Sequence, residues 1–264
     1  MNDILANEAN IRLTAFLTIF LVMALWETIA PYRKLSHSRS KRWPHQLGLI
    51  IVNSIVLRFF FPLAAVGSAD WASMQSFGLL NILDISPWIG VPLAFLFLDF
   101  CIYWQHVIAH KIGWFWKLHR THHADMDFDL TTGIRFHPLE ILLSMLIKVC
   151  LIALFGLPVF AVLLFEIALN GSALFNHSNI ALPKSIESRI RMLIVTPTMH
   201  RIHHSTQTIE HDSNFGFFLS IWDRLFGSYR QQSSENDQTM DIGLNRFRES
   251  DDVRLDKILS IPFK

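Results

Sequence analysis

Long apolar segments alternate with short polar ones along the first two thirds of this chain. A helix needs about 20 apolar residues to cross a bilayer, and such runs cover residues 11–30, 47–66 and 88–109. The first run has neither a basic stretch before it nor a small-residue cleavage site after it, so we expect a transmembrane helix rather than a removable signal peptide.

A fourth apolar run, residues 139–175, is too long for one helix and is interrupted by Gly156, Leu157 and Pro158. This punctuation predicts two spans joined by a tight turn. Lys148 and Glu166 lie nine residues before and after Leu157, so antiparallel helices place them level, about 13 Å below the turn at ~1.5 Å per residue. An isolated charge at the bilayer centre costs about 3 kcal/mol. We therefore predict that the two residues form an ion pair, with Arg58 as the alternative partner of Glu166.

Composition supports a membrane protein, because 51% of the 264 residues are hydrophobic and only 17% are charged. The predicted fold is all-α, a multi-pass transmembrane helical bundle. A net charge of +1 argues against a nucleic-acid partner. The two cysteines, Cys101 and Cys150, lie in apolar runs without CxxC spacing, which excludes a disulfide framework and a thiolate metal site.

Basic residues give the expected orientation of the spans. The loop of residues 31–43 carries five of them, whereas residues 67–87 contain Asp70 and Asp84 and no basic residue; the five are Arg33, Lys34, Arg39, Lys41 and Arg42. Cytoplasmic loops are enriched in lysine and arginine, so we expect five crossings with the N-terminus outside and the C-terminus inside. The membrane would be the inner membrane of a bacterium or the endoplasmic reticulum of a eukaryote.

Histidines cluster in three short motifs, HVIAH (106–110), HRTHH (119–123) and HRIHH (200–204). Residues three or four apart share one face of a helix, so each motif can present its imidazoles together. The eight candidate ligands exceed the four that a single zinc ion takes, which predicts a cap of two metals at the inner face: His106, His110, His119, His122, His123, His200, His203 and His204. Three other histidines, His37, His45 and His211, are expected to have no metal role.

Imidazole suits iron, zinc, copper and nickel, but the chain has no HExxH motif for zinc hydrolysis, which favours oxygen chemistry on iron. The three motifs resemble the fatty acid hydroxylase superfamily, also called the sterol desaturase family. TTGIRFHPLE (131–140), NHSN (176–179) and NFGFFLSIWDRLFGSY (214–229) strengthen the resemblance, which covers residues 98–229. It implies a non-haem di-metal, normally di-iron, oxygenase that uses O₂ and two electrons to hydroxylate or desaturate a membrane lipid. Isolated protein could carry zinc instead, because zinc binds imidazole more tightly than ferrous iron does.

The same resemblance implies that His177 is a ninth ligand and that His137 either orients a ligand or is a tenth. Val107 stands where many relatives have arginine, which leaves the ligand spacing intact. Other polar residues could accept the remaining imidazole N–H groups; these are Asp99, Asp125, Asp127, Asp129, Glu140, Asp212, Asn214 and Asp223. Asp99 could equally be a polar contact between helices.

Three regions are expected: N-terminal transmembrane helices and loops (1–97), a di-metal catalytic domain (98–230) and a largely solvated cytoplasmic tail (231–264). The sequence has no G-x-G-x-x-G fingerprint and no cysteine cluster, so the electrons are expected to come from a separate cytochrome, ferredoxin or reduced pterin. The alternative is a histidine-rich metal transporter or metal-binding protein, which would place ligands near the bilayer midplane. The lipid itself, and the choice between hydroxylation and desaturation, stay open.

Overall fold

The computed structural model describes residues 6–83 and 85–264, and its regular secondary structure there is helical. The helices are α1 (Glu8–Ile29), α2 (Arg39–Phe60), α3 (Ala64–Met74), α4 (Leu79–Ile82), α5 (Pro87–Lys111), α6 (Gly113–His123), α7 (Pro138–Phe155), α8 (Val159–Asn176), α9 (Lys184–Ile190), α10 (Pro197–His203), α11 (Thr208–His211), α12 (Ile221–Leu225) and α13 (Leu255–Ser260), with 3-10 turns at Leu130–Ile134 and Ile261–Phe263. Within these residues, strand-like pairing is limited to the bridges Ile194–Leu219 and Ser205–Ile242. The all-α prediction is confirmed.

Five segments of the described chain are long and apolar enough to cross a membrane: Glu8–Ile29, Arg39–Ile82, Pro87–Lys111, Pro138–Phe155 and Val159–Asn176. Large apolar side chains such as Leu21, Leu25, Ile55 and Phe59 are exposed on these segments, as expected of a surface that contacts lipid. The multi-pass helical bundle predicted from the sequence is therefore confirmed.

The second span differs from the predicted residues 47–66. Its helix α2 begins earlier, at Arg39, and ends at Phe60, and α3 follows as a separate helix. Pro62 explains the break, because proline has no N–H to donate and disfavours helical backbone in the residue before it. The length of the apolar run did not predict this early start, because the first turns of α2 are polar. Two of their polar residues, Arg42 and Gln46, are nevertheless buried against protein.

Helices α7 and α8 form the predicted hairpin. Gly156 ends α7 in the left-handed conformation with φ 61°, and Pro158 is the N-cap residue directly before α8. Gly78 packs so tightly here that a Cβ on it would lie 2.2 Å from the backbone nitrogen of Gly156, so neither glycine tolerates a side chain. Small residues of α3 pack on the hairpin beside α5, in a core that includes Ala65, Val66, Ala69, Ala94, Leu98, Ile152, Ala161, Val162 and Phe165.

The predicted ion pair inside the hairpin is confirmed. Lys148 Nζ lies 2.6 Å from Glu166 Oε1, and both side chains are buried. The alternative partner, Arg58, instead donates to the carbonyl of Pro62. Arg12 of α1 approaches the second carboxylate oxygen of Glu166 at 4.0 Å.

The basic loop and the histidine motifs lie at the same end of the bundle. Backbone N–H groups of Ser36 and His37 donate to Asp127, just after the HRTHH motif. Gly78, directly before α4, meets Gly156 at the opposite end of the bundle, where α7 ends. This shared end agrees with the sequence analysis, whereas its cytoplasmic location stays a prediction. Asp84, used in that orientation argument, and residues 1–5, which include the N-terminus, lie outside the described residues.

The expectation that residues 231–264 form a solvated tail is wrong. Met240 and Ile242 are buried against Phe128, and Val253, Ile258 and Ile261 are also buried. Arg120 of the HRTHH motif donates to the carbonyl of Ile261 at 2.7 Å. These apolar residues are too irregularly spaced among polar ones to show a helix or strand period, so the sequence pattern did not reveal their burial.

The Lys148–Glu166 pair should behave as a buried ion pair in unfolding experiments. Lys148→Met alone leaves a carboxylate with only the more distant Arg12, and we expect a loss of about 3–5 kcal/mol in the free energy of unfolding. Lys148→Met combined with Glu166→Leu should restore most of it, since paired apolar replacements are often neutral. Denaturation of the purified protein in detergent measures both values. Equal losses for the single and double variants would contradict the buried pairing.

Candidate metal centre

Nine histidines converge in two adjoining groups. The first histidine group consists of His106, His110, His119, His123 and His203, and the second consists of His122, His177, His200 and His204. In each group, one ring nitrogen from every member lies within 4.8 Å of one from every other member. These nine are the eight histidines of the three motifs and His177, all proposed as ligands from the sequence.

The two H-x-x-H-H motifs are shared between the groups in opposite ways. On α6, His119 and His123 belong to the first group and His122 to the second; around α10, His200 and His204 belong to the second and His203 to the first. The first and fifth residues of the motif are four apart and stack on one helix face. The fourth residue lies one position before the fifth and therefore points to a different side of the helix. The spacing therefore lets one helical turn serve both groups.

Helix ends supply the remaining members. His106 and His110 lie one turn apart in the last two turns of α5. His177 follows the last residue of α8, and its Nδ1 donates to the carbonyl of Ala173 at 2.7 Å. The nine histidines are thus held by four elements that meet at one end of the bundle.

Burial favours the uncharged form of several of these imidazoles. The pKa values of His122, His123, His200 and His204 lie well below the ordinary range, first because burial disfavours the charged form and then because neighbouring histidines repel it. For His177 the same burial lowers the pKa to about 4. Neutral imidazole is the form that binds metal.

Many ring nitrogens of these histidines are buried without a hydrogen-bond partner in the described residues. They include Nε2 of His106, His119 and His203 and Nδ1 of His122, His123 and His200. Other ring nitrogens face each other, as in His177 Nε2, which lies 2.9 Å from His200 Nε2 and 3.1 Å from His122 Nε2. Buried polar atoms normally find partners, so this convergence fits a site built for metal ions.

The opposite nitrogens are oriented mainly by backbone carbonyls. His106 Nδ1 donates to Phe215 O and His203 Nδ1 to Ser213 O, both at 2.8 Å. His119 Nδ1 instead donates to Glu140 Oε1 at 2.6 Å. Such partners fix the tautomer and the ring orientation of a ligand. Glu140 was a candidate from sequence, whereas the carbonyls carry no sequence signal.

Asn214 and Asp223 shape the loop that provides those carbonyls. Asp223 accepts the backbone N–H groups of Phe215 and Gly216 at 2.7 and 2.8 Å. Asn214 adopts φ 53°, and its side-chain amide donates to Met199 O and Arg230 O. Both residues therefore act on the histidines through the backbone rather than by direct contact.

Two other candidates lie apart from the histidine groups. Asp99 accepts the Trp222 indole N–H at 2.8 Å and the Leu219 backbone N–H at 3.1 Å, so of its two interpretations the polar contact between segments holds. His137 caps α7 by accepting from Leu139 N, and its other nitrogen lies 3.3 Å from Leu259 O. This arrangement does not support a tenth ligand.

The three histidines expected to lack a metal role are placed differently. His37 contacts Asp127, and His45 lies within α2. His211 stacks on Trp116 and, with His110 and Asp212, forms a third set of close ligand atoms at the edge of the first group. His211 is thus closer to the centre than its isolated position in the sequence indicated.

An ion-pair network that the sequence analysis missed anchors the loop after α6. Arg42 is fully buried, with its guanidinium 2.7 Å from Asp125 and 2.6 Å from Asp129. Burial alone would raise the pKa of Asp125, but Arg42 and Arg135 outweigh it and hold the pKa at about 2. In the sequence, Arg42 indicates only the orientation of the spans in the membrane. In the structure, its ion pairs fix the segment that follows the HRTHH motif.

A cavity of about 280 Å³ opens beside the first histidine group. His106, His119 and Glu140 line one end, and Lys148 and Glu166 line it further along the hairpin. Most of the wall between them is apolar, formed by residues including Phe16, Leu57, Ile102, Phe136, Met145 and Leu169. The cavity lies between α1, α2, α5, α7 and α8, inside the membrane-spanning part of the bundle.

Removing the Glu140 carboxylate should weaken the first histidine group selectively. Glu140→Ala leaves His119 Nδ1 without its acceptor, and loss of such a partner typically lowers metal affinity by about 10–100-fold. Glu140→Gln keeps an oxygen acceptor and should lose less. Metal titration of purified apo-protein measures both variants. Unchanged affinity in Glu140→Ala would show that Glu140 does not orient His119 for a metal.

Comparisons with known proteins agree with this geometry. The family model described as fatty acid hydroxylase matches residues 91–228. The chain is 29% identical to the alkylglycerol monooxygenase of Homo sapiens over 61% of this chain, and it covers 35% of that protein. It is 25% identical to the ornithine lipid hydroxylase OlsE of Rhizobium tropici, over 87% of this chain and 69% of that protein.

A Delta(7)-sterol 5(6)-desaturase of Leptosphaeria maculans is 23% identical over 82% of this chain and 60% of its own length. The chain thus spans about a third of the human relative's length, and no solved structure matches it significantly. The resemblance seen in the sequence is confirmed. The matched region covers more than half of the 264 residues and contains all nine clustered histidines, and the chain belongs to the fatty acid hydroxylase family.

Proposed function

We propose that this chain is a membrane-bound, O₂-dependent lipid hydroxylase whose two histidine groups hold two iron ions. The observation that carries the proposal is the pair of buried histidine groups, the first of which lines the end of a cavity between apolar helices. The names of the relatives support it, since they describe a lipid monooxygenase, a lipid hydroxylase and a sterol desaturase.

In this proposal the first group holds one ion through members of its five histidines, and the second group holds the other through its four. When bound, the ions supply the redox centre at which O₂ is reduced and a C–H bond of the lipid is oxidised. All-imidazole sites accept several divalent metals, and zinc binds them more tightly than ferrous iron does. Isolated protein could therefore carry zinc in place of iron.

The protein's own residues position the lipid and exclude water. The histidines are buried, so bulk water is kept from the reacting carbon. Phe136 stacks on His122 with ring centroids 4.4 Å apart and also lines the cavity. The apolar wall between α2, α5 and α7 would hold an alkyl chain with one carbon next to the first histidine group.

Electrons would come from a separate donor, a cytochrome, a ferredoxin or a reduced pterin, because oxidation of one C–H bond by O₂ needs two further electrons. The histidine end of the bundle, where such a donor would act, is proposed to face the cytoplasm. A metal transporter is disfavoured because the nine histidines meet at one end of the helices rather than along a path through the bundle.

The di-metal part of the proposal is tested by removing one histidine from each group. His203→Ala should impair the first group and His204→Ala the second, so each variant should fall from about two metal ions per chain toward one. His45→Ala, outside both groups, should keep the wild-type metal content. Elemental analysis of purified proteins gives these ratios. A wild-type content of one ion, unaffected by either substitution, would contradict the two-ion site.

The oxygenase part is tested by comparing lipids of cells that produce the wild-type protein with those of cells that produce His123→Ala. We expect a lipid that gains one oxygen atom, or loses two hydrogens, only in wild-type cells grown with O₂. Mass spectrometry of lipid extracts detects either change. The same product formed under strict anoxia would overturn the assignment.

A further inference from the structure

The cavity beside the histidines has a charged wall in its membrane-embedded part. Glu140, which bonds His119, and Lys148 both line the cavity from α7. Eight residues separate them, which corresponds to about 12 Å of helix. Apolar residues such as Ile141 and Met145 line the space between them. A chain-like molecule with one end at the histidines would therefore reach Lys148 and Glu166 with a more distant part.

The ion pair has unused hydrogen-bonding capacity. Lys148 Nζ donates to Glu166 Oε1, and the described residues give its other two N–H groups no acceptor. Glu166 Oε2 has Arg12 only at 4.0 Å. An ammonium group has three donors, and a carboxylate can accept about four hydrogen bonds. The pair thus offers both donors and acceptors on the cavity wall, although Lys148 is only 7% exposed and Glu166 6%.

Stability alone does not explain the pair. A buried ion pair is often no more stabilising than well-packed apolar residues of the same volume, because both charges lose their hydration. A ligand that completes the hydrogen bonds of the pair would offset part of that cost. The position on the cavity wall makes a bound lipid the available partner.

We propose that Lys148 and Glu166 form a subsite for a neutral hydroxyl group on the lipid, an inference that rests on the proposed lipid oxidation. A hydroxyl can accept from Lys148 and donate to Glu166 at the same time. The pair carries no net charge, and Arg12, 4.0 Å from Glu166, is itself paired with Glu8 at 3.5 Å, so a carboxylate would meet as much repulsion as attraction. Lys148 lies about 12 Å along α7 from Glu140, the residue bonded to His119, so a hydroxyl held by the pair determines which carbon lies beside the first histidine group.

Binding measurements test the subsite without relying on turnover. Purified full-length protein in detergent is incubated with tritiated 1-dodecanol, which is displaced by tridecane, where a methyl group replaces the hydroxyl, or by dodecanoate. We expect the alcohol to bind about tenfold more tightly than tridecane, the usual size of one or two net hydrogen bonds. Dodecanoate should bind more weakly than the alcohol.

Two variants carry the test. Lys148→Leu with Glu166→Leu should bind the alcohol and tridecane equally, whereas the exposed pair changed by Arg254→Leu with Asp256→Leu should keep the wild-type preference. If the apolar double variant fails to fold, Glu166→Gln serves instead: it leaves a net positive subsite, and dodecanoate should then bind more tightly than the alcohol.

The outcomes separate this inference from the proposed function. Persistence of the alcohol preference in the apolar double variant, unchanged preference in Glu166→Gln, or tighter binding of dodecanoate to wild type would overturn the subsite. Loss of preference as expected, in a protein that oxidises no lipid, would leave the subsite standing and remove the proposed function. Lipid oxidation by a protein whose preference for the alcohol does not depend on Lys148 and Glu166 would support the proposed function and remove the subsite.

Discussion

The burial of nine imidazoles in one end of a helical bundle is the constraint around which the structure is organised. Each ring has two nitrogens, and burial demands a partner for both. Backbone carbonyls and Glu140 accept from some of them, while other nitrogens face neighbouring imidazoles or are buried without a partner in the described residues. The loop at Asn214, the ion pairs of Arg42 and the packed C-terminal segment surround this end and hold its backbone in place.

The sequence was sufficient to predict the parts of the fold that depend on long apolar runs and short motifs. Hydrophobic length located the spans, Gly156 and Pro158 located the hairpin, and the cost of isolated charges in lipid predicted the Lys148–Glu166 pair. The histidine spacing identified eight of the nine members of the two groups, and the family resemblance added His177. These features are local, so they are visible in a linear pattern.

Features that depend on contacts between distant segments were not predictable in the same way. Arg42 looked like one of five loop cations, but it lies 83 residues from Asp125 in sequence and 2.7 Å away in space. The carbonyls of Ser213 and Phe215 have no residue-specific signal, because every residue has one. The apolar residues after residue 231 are spread over turns, bends and one short helix, where no helix or strand period could mark them.

The opposite sharing of the two H-x-x-H-H motifs has a consequence for how the centre assembles. Since α6 and α10 each contribute to both groups, neither group can form unless both helices are in place. The two groups therefore assemble together, and a displacement of either helix disturbs both.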